Sequence, residues 1–195
     1  MNRSLTSLLA ALPALLIGVP AAAGDATRFA IEEDQLLIGF AAPLGEHKQL
    51  SGVARSLAGS VQVSPEGAQV KLRLPIASIE SGSLITDAAL RSLLDAEQFP
   101  ALELEASAPA PGGNESNLVF SGTLRMHGSA VPVKLPVKVL RDGRLAFVHG
   151  IFPISLRAFG LNAPSVGGLA LGDKVEVSID ARLHTLPEGQ AVASF

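Results

Sequence analysis

The sequence predicts an all-β fold: a single antiparallel eight-stranded barrel with one short helix inserted between strands. Three observations carry this expectation. Apolar and polar residues alternate over most of the chain, as in Gln69-Val70-Lys71-Leu72-Arg73-Leu74, which is the period of a half-buried strand. Turn residues separate these runs at hairpin spacing. Only between Ser81 and Pro100 does the period change from two to that of a helix. Eight antiparallel strands can close into a barrel whose interior is filled or holds one small apolar ligand.

The first 23 residues are set apart from this domain. Arg3 gives a short positive start, Leu5 to Val19 is apolar, and Ala21-Ala22-Ala23 fits the small-x-small rule for cleavage. Residues 1–23 therefore read as a signal peptide and 24–195 as the barrel domain. The apolar run is broken by Pro13, Gly18 and Pro20 and falls short of the roughly 20 residues a membrane span needs. No stable membrane anchor is expected, and the protein is expected in the periplasm or secreted. Loss of Arg3 takes the formal charge from −3 to −4, which argues against nucleic acid or an anionic surface as partner. The chain has no cysteine, so burial alone must stabilise it, and thiol chemistry and Cys-based metal centres are excluded. Tyr and Trp are absent too, which removes the usual aromatic platforms for sugars and bases.

Taken in order, Phe29 to Phe40 holds one or two strands, with Asp34-Gln35 as a potential turn, and Pro43-Leu44-Gly45 is a loop. From Leu50 to Val63 the parity slips: Leu50, Gly52 and Ala54 share one face, then Leu57, Gly59, Val61 and Val63. One extra residue near Arg55-Ser56 would produce this, as in a β-bulge; alternatively Arg55 simply lies on a solvated face. Gly52 and Gly59 suit a strongly bent strand. Ser64 to Gly67 is a turn, and Gln69 to Leu74 is the return strand. Thr86 is the expected helix cap, Asp87 suits the positive first turn, and Leu90, Leu93 and Leu94 fall on one face. Asp95 starts a further turn, and Phe99-Pro100 ends the helical region, because the residue before proline disfavours the α conformation.

Ala101 to Ser107 alternates again, with Glu103 and Glu105 on the polar phase, where a solvated face is the expectation. Residues 108–117 form a loop rich in Pro, Gly and Asn. Leu118 to Met126 is a strand, and Gly128-Ser129 is a tight turn. Val131, Val133, Leu135, Val137 and Val139 alternate with Pro132, Lys134, Pro136 and Lys138. Two prolines on the polar phase require part of this strand's ladder to be unpaired, as at an edge or opening. Arg141-Asp142-Gly143 is a hairpin turn and Leu145 to Ile154 the strand after it. Ser155 to Leu161 can make a helical turn, and Asn162 to Gly172 is a Gly-rich loop. Lys174 to Leu183 closes the domain, and the tail after Pro187 is expected to fray.

Catalytic signatures are weak. His47, His127, His149 and His184 show no metal-site spacing, and His127 is expected to hydrogen-bond backbone near its turn. There is no Gly-x-Ser-x-Gly elbow, and Gly167-Gly168 lacks the lysine of a phosphate loop. The expectation is a binding protein with no cofactor, no metal and no catalytic residue. On parity alone, the inward set that would line a lumen is Leu72, Leu74, Leu102, Leu104, Phe120, Leu124, Leu135, Val137, Phe147 and Ile179. The helix and the loop at 162–172 are the candidate gates.

Four blocks then fall into a known order. The glycine-spaced strand with Gly52, Leu57, Gly59 and Val61 is followed by Ala77-Ser78-Ile79-Glu80-Ser81-Gly82, Asp87, Leu90-Arg91-Ser92 and Phe99-Pro100. Then come Gly122 to Gly128 with Val131 to Leu135, and finally Phe159-Gly160 with Leu171 to Val177. Together these resemble the YceI-like family of secreted, lipocalin-like proteins associated with polyisoprenoid and other lipid binding. The resemblance spans Phe29 to Leu183. It implies an apolar lipid as partner, a polyisoprenoid or an isoprenoid quinone, held inside the barrel.

The chain departs from the family pattern in several places. Thr86 stands where an arginine is usual, Ala89 where a histidine is frequent, and Ala54 where an aromatic occurs. The first strand lacks the His-Ser pair, and Leu156-Arg157-Ala158 replaces Arg-Ser or Arg-Asp. Each change removes a polar or aromatic group. Two other readings stand beside the carrier: a filled-barrel stress-related or structural protein acting through a protein partner, and an enzyme acting on a lipid-like substrate, which needs polar groups converging in the lumen.

Overall fold

The computed structural model describes residues 27–162 and 164–186, the side chains of 30–35 excepted; the expected signal peptide and the tail after Pro187 lie outside these. In chain order the strands are β1 (Thr27–Leu44), β2 (Lys48–Ala54), β3 (Ala58–Ser64), β4 (Gly67–Pro75) and β5 (Ile79–Glu80). Helix α1 (Leu84–Leu93) follows, then β6 (Ala101–Ala108), β7 (Glu115–Met126), β8 (Ser129–Asp142), β9 (Leu145–Ser155), β10 (Ser165–Val166), β11 (Leu169–Ala170) and β12 (Lys174–Thr185).

The barrel closes by pairing its last strand with its first. Neighbours run β12-β9-β8-β7-β6-β4-β3-β1, and β12 returns to β1. All these pairings are antiparallel. β2 and β3 act as one broken stave: β2 pairs with residues 38–44 of β1, β3 with residues 27–29. The break falls at residues 55–57, where the parity slip predicted a bulge, and Leu57 turns inward to be buried there. β1 answers with its own register shift between Ile31 and Leu36. It is one long strand that runs through Asp34-Gln35 and on to Leu44, so the turn expected at 34–35 does not form and the loop expected at 43–45 falls at residues 45–47. Gly52 stands opposite Phe40, and a Cβ on it would lie 2.6 Å from the Phe40 ring. The missing side chain makes room for that ring inside the barrel.

Prolines 132 and 136 sit where the ladder parts. β8 pairs with β7 from Ser129 to Leu140 but with β9 only from Lys138 to Asp142. A proline offers no N–H to the vacant side, so the unpaired stretch expected from sequence is real. The β7–β8 turn is His127-Gly128, one residue earlier than expected, with φ of 50° and 72°; two positive φ values give the primed turn that matches strand twist. His127 Nδ1 lies 3.4 Å from the Phe159 carbonyl oxygen, and the Ser129 hydroxyl donates to the same oxygen. The 3₁₀ turn Leu156–Phe159 is thereby tied across the gap beside β8.

Ser83 caps α1, not Thr86. The Ser83 backbone is extended, and its hydroxyl accepts the Thr86 N–H at 3.4 Å. Gly82 at φ 82° supplies the preceding turn, so the helix starts early enough to expose Leu84 and Ile85 while turning Leu90 and Leu94 inward. Asp95, at φ 49°, breaks α1 and starts the further turn expected, its carbonyl accepting the N–H groups of Gln98 and Phe99, and the region ends at Phe99-Pro100. The Gly-rich loop contains the small hairpin β10–β11, with Val166 and the following Leu171 buried against the helix.

Outside, Glu103 and Glu105 form cross-strand pairs with Arg73 and Lys71 at 3.7 and 3.6 Å. This is the solvated face expected, worth at most about 1 kcal/mol per pair.

Candidate ligand-binding site

Inward side chains of the staves leave two adjoining chambers inside the barrel. The near chamber, about 190 Å³, lies under α1. Leu90, Leu93 and Leu94 roof it, with Leu156 from the 3₁₀ turn and Leu171 from the loop after β11. The far chamber, about 130 Å³, runs toward the opposite rim past Phe29, Leu118, Val139 and Leu183. Ile38, Leu57, Leu72, Leu104, Leu135, Phe152 and Ile179 border both and form a waist. Together the chambers reach the lower end of the roughly 300–1,000 Å³ of ordinary small-molecule sites, which favours a slender ligand.

Nine of the ten sequence-predicted lumen residues face this space. Leu74, Leu102 and Leu124 line the near chamber, Phe120 and Val137 the far one, and Leu72, Leu104, Leu135 and Ile179 both. Phe147 does not: it points outward and is 42% exposed. The Phe147 phase of β9 also carries apolar Leu145 and Ile151, which masked the polar signal of His149 on the same face. The pairing decides it, since Phe147 stands opposite Leu140 on the outward phase of β8 and opposite Arg182 on β12. The Arg182 guanidinium lies 5.9 Å from its ring centroid. Counting across the hairpin from inward-facing Val139, which pairs with Val148, would have corrected the assignment.

Parity also missed lining residues that belong to no long strand. Leu171 is held by its N–H, donated to the Pro164 carbonyl at 2.8 Å, and Leu156 by contacts centred on Asp173. Its carboxylate accepts the Arg157 N–H at 2.8 Å and the Ser155 hydroxyl at 3.0 Å, and its carbonyl accepts the Leu156 N–H at 2.8 Å. The Arg157 N–H holds the Asp173 carboxyl below the usual carboxylate range against the opposing effect of desolvation. Ser155 and the charges of Arg157 and Lys174 add to the lowering. On the other side of the roof Asp87 is buried. It accepts the Ser81 hydroxyl at 2.6 Å and the Ser81 N–H at 2.7 Å, so it ties the approach to the helix and does not bond the helix's own amides. These two bonds lower its carboxyl pKa, hydroxyl first, with desolvation opposing and Arg91 assisting.

The chemistry available inside is that of hydrocarbon. Every side chain lining the near chamber is apolar, and the far chamber has one polar member, Arg141. Among the described residues no group of three or more His, Asp or Glu side chains could hold a metal ion, and no helix is long and apolar enough to cross a membrane.

The barrel has relatives among solved structures. Burkholderia cenocepacia BcnA superposes with a TM-score of 0.66 at 18% identity, covering 78% of this chain and 99% of that one. A polyisoprenoid binding domain from Saccharophagus degradans, implicated in plant cell wall breakdown, gives 0.64 at 14% identity over 83% and 98%. The Campylobacter jejuni YCEI protein gives 0.61 at 13% identity over 73% and 88%. At these identities the likeness speaks to the fold. No curated protein matches the chain significantly. The model of the YceI-like domain matches residues 29–183, from the first described inward phenylalanine to the last inward leucine of β12, and the chain belongs to the YceI-like family.

Proposed function

We propose that the protein is a binding protein that holds one apolar, isoprenoid-type chain inside its barrel, and that it works in the periplasm or outside the cell after cleavage near Ala23. A polyisoprenoid or the tail of an isoprenoid quinone fits this reading. The observation that carries it is the apolar interior: two adjoining chambers that share seven lining residues, with no polar side chain in the first. A relative of the same fold is described as a polyisoprenoid binding domain, which supports the ligand class. The driving force is burial of ligand hydrocarbon, about 25 cal/mol per Å² before the costs of association. The activity is binding, with no bond made or broken.

The test is uptake by delipidated mature protein, followed as displacement of a fluorescent fatty-chain probe by geranylgeraniol. Saturable displacement at one chain per protein supports the carrier; no displacement overturns it. The mass of the exported chain tests cleavage, with Gly24 the expected first residue.

A second reading, a filled barrel acting through a protein partner, draws on the outer wall. There Leu140, Phe147 and Ile151 lie exposed on neighbouring strands. It expects no uptake, and loss of function from changes at these three positions.

A further inference from the structure

The inward phase of β8 reads Val131, Val133, Leu135, Val137, Val139 and then Arg141. Arg141 is the one charged residue among the described residues that line the two chambers. It borders the far chamber, is half-buried and pairs across the hairpin with buried, inward-facing Ala146. Its backbone is fixed, with the N–H donated to the Asn114 carbonyl at 2.7 Å. No described carboxylate lies within ion-pair distance of its guanidinium. A cation at the edge of hydrocarbon costs solvation unless an anion meets it, and the arginine fork suits a carboxylate or phosphate in particular.

The other end of the lumen offers nothing of the kind, since leucines of α1 and the 3₁₀ turn roof it. We infer that the lumen is directional: Arg141 receives the oxyanion of a single-chain amphiphile at the far rim, and the hydrocarbon runs through the waist toward α1. This rests on the carrier reading and adds a head-group site to it. A fatty carboxylate and an isoprenyl phosphate share the required chemistry.

The experiment compares four ligands by probe displacement: geranylgeranyl phosphate, geranylgeraniol, palmitate and hexadecanol. The proteins are the wild type, Arg141→Gln, Arg141→Lys, and Arg144→Gln as an exposed control on the same hairpin. The wild type is expected to bind at least one anion about tenfold more tightly than its alcohol, the order of one charge-assisted pair. Arg141→Gln should lose that preference with alcohol affinity unchanged, Arg141→Lys should retain part of it, and Arg144→Gln all of it. Preference confined to the phosphate pair or to the carboxylate pair identifies the head group. Equal binding of anion and alcohol by the wild type overturns the inference and leaves the carrier intact, as does an undiminished preference in folded Arg141→Gln. Failure of all four ligands to bind overturns both.

Discussion

The near and far chambers share the same staves and the same aliphatic lining, yet they end differently. The near end is roofed by α1, the β10–β11 hairpin and the 3₁₀ turn. Two carboxylates outside the lumen, Asp87 and Asp173, hold these pieces through Ser81, Ser155 and Arg157. The far end is bounded by hairpin turns and the 109–114 loop, and its inner face ends on Arg141. The contrast teaches that periodic strands make the container, while the segments that break the period decide what each end can do.

The largest expected effect strikes both chambers at once. Leu104→Asp or Leu135→Asp puts a carboxylate into the waist, where an unpaired buried charge costs several kcal/mol. Lipid uptake should be abolished; a variant that keeps a native circular dichroism spectrum and binds as before would mean the lumen is misassigned.

Core truncation should then separate the ends. Ile76, with no exposed surface, belongs to the cluster beneath the roof, and its N–H bonds the Pro100 carbonyl. Ile76→Ala should lose about 2–5 kcal/mol in denaturant unfolding. Val137→Ala, beside existing space in the far chamber, should lose only about 1–2 kcal/mol. Equal losses would erase the distinction in packing.

Acid should loosen the near end first. The folded-state pKa values of Asp87 and Asp173 are lowered. Each therefore contributes stability that is present above the carboxyl's unfolded pKa, about 3.9, and lost as pH falls through the lower folded value. Amide exchange of α1 and the 3₁₀ turn should rise below about pH 4 while β7 and β8 stay protected, and Asp87→Asn with Asp173→Asn should flatten that dependence. Uniform loosening of both ends would contradict the clamp assignment.

The smallest effect is expected outside. Phe147→Ser should change stability by no more than about 1 kcal/mol, since it removes an exposed ring and one cation–π contact, and should leave lipid binding unchanged. Loss of binding would return Phe147 to the lumen.

The barrel was legible because strand parity is a strong local signal: Gln69–Leu74 and Val131–Val139 declare their faces residue by residue. The prolines of β8 announced the parted ladder for the same physical reason that the structure shows it. Parity failed at Phe147, where Leu145 and Ile151 make the outer face of β9 largely apolar despite His149, and cross-strand register decides. It was silent at Leu156 and Leu171, whose inward placement depends on hydrogen bonds to Asp173, 17 residues from Leu156, and to the Pro164 carbonyl. The helix was legible from its leucines, but its cap was not, since Ser81, Ser83 and Thr86 offer competing hydroxyls. Arg141 closed a visible alternation and read as part of a turn; only the closed barrel shows that its phase faces the lumen.

The most direct test of the central claim is native mass spectrometry of the mature protein from its own host, followed by organic extraction. The account predicts a stoichiometric adduct of one hydrocarbon-chain lipid per protein, released as an isoprenoid on extraction. A bare mass, unchanged after incubation with such lipids, would contradict it.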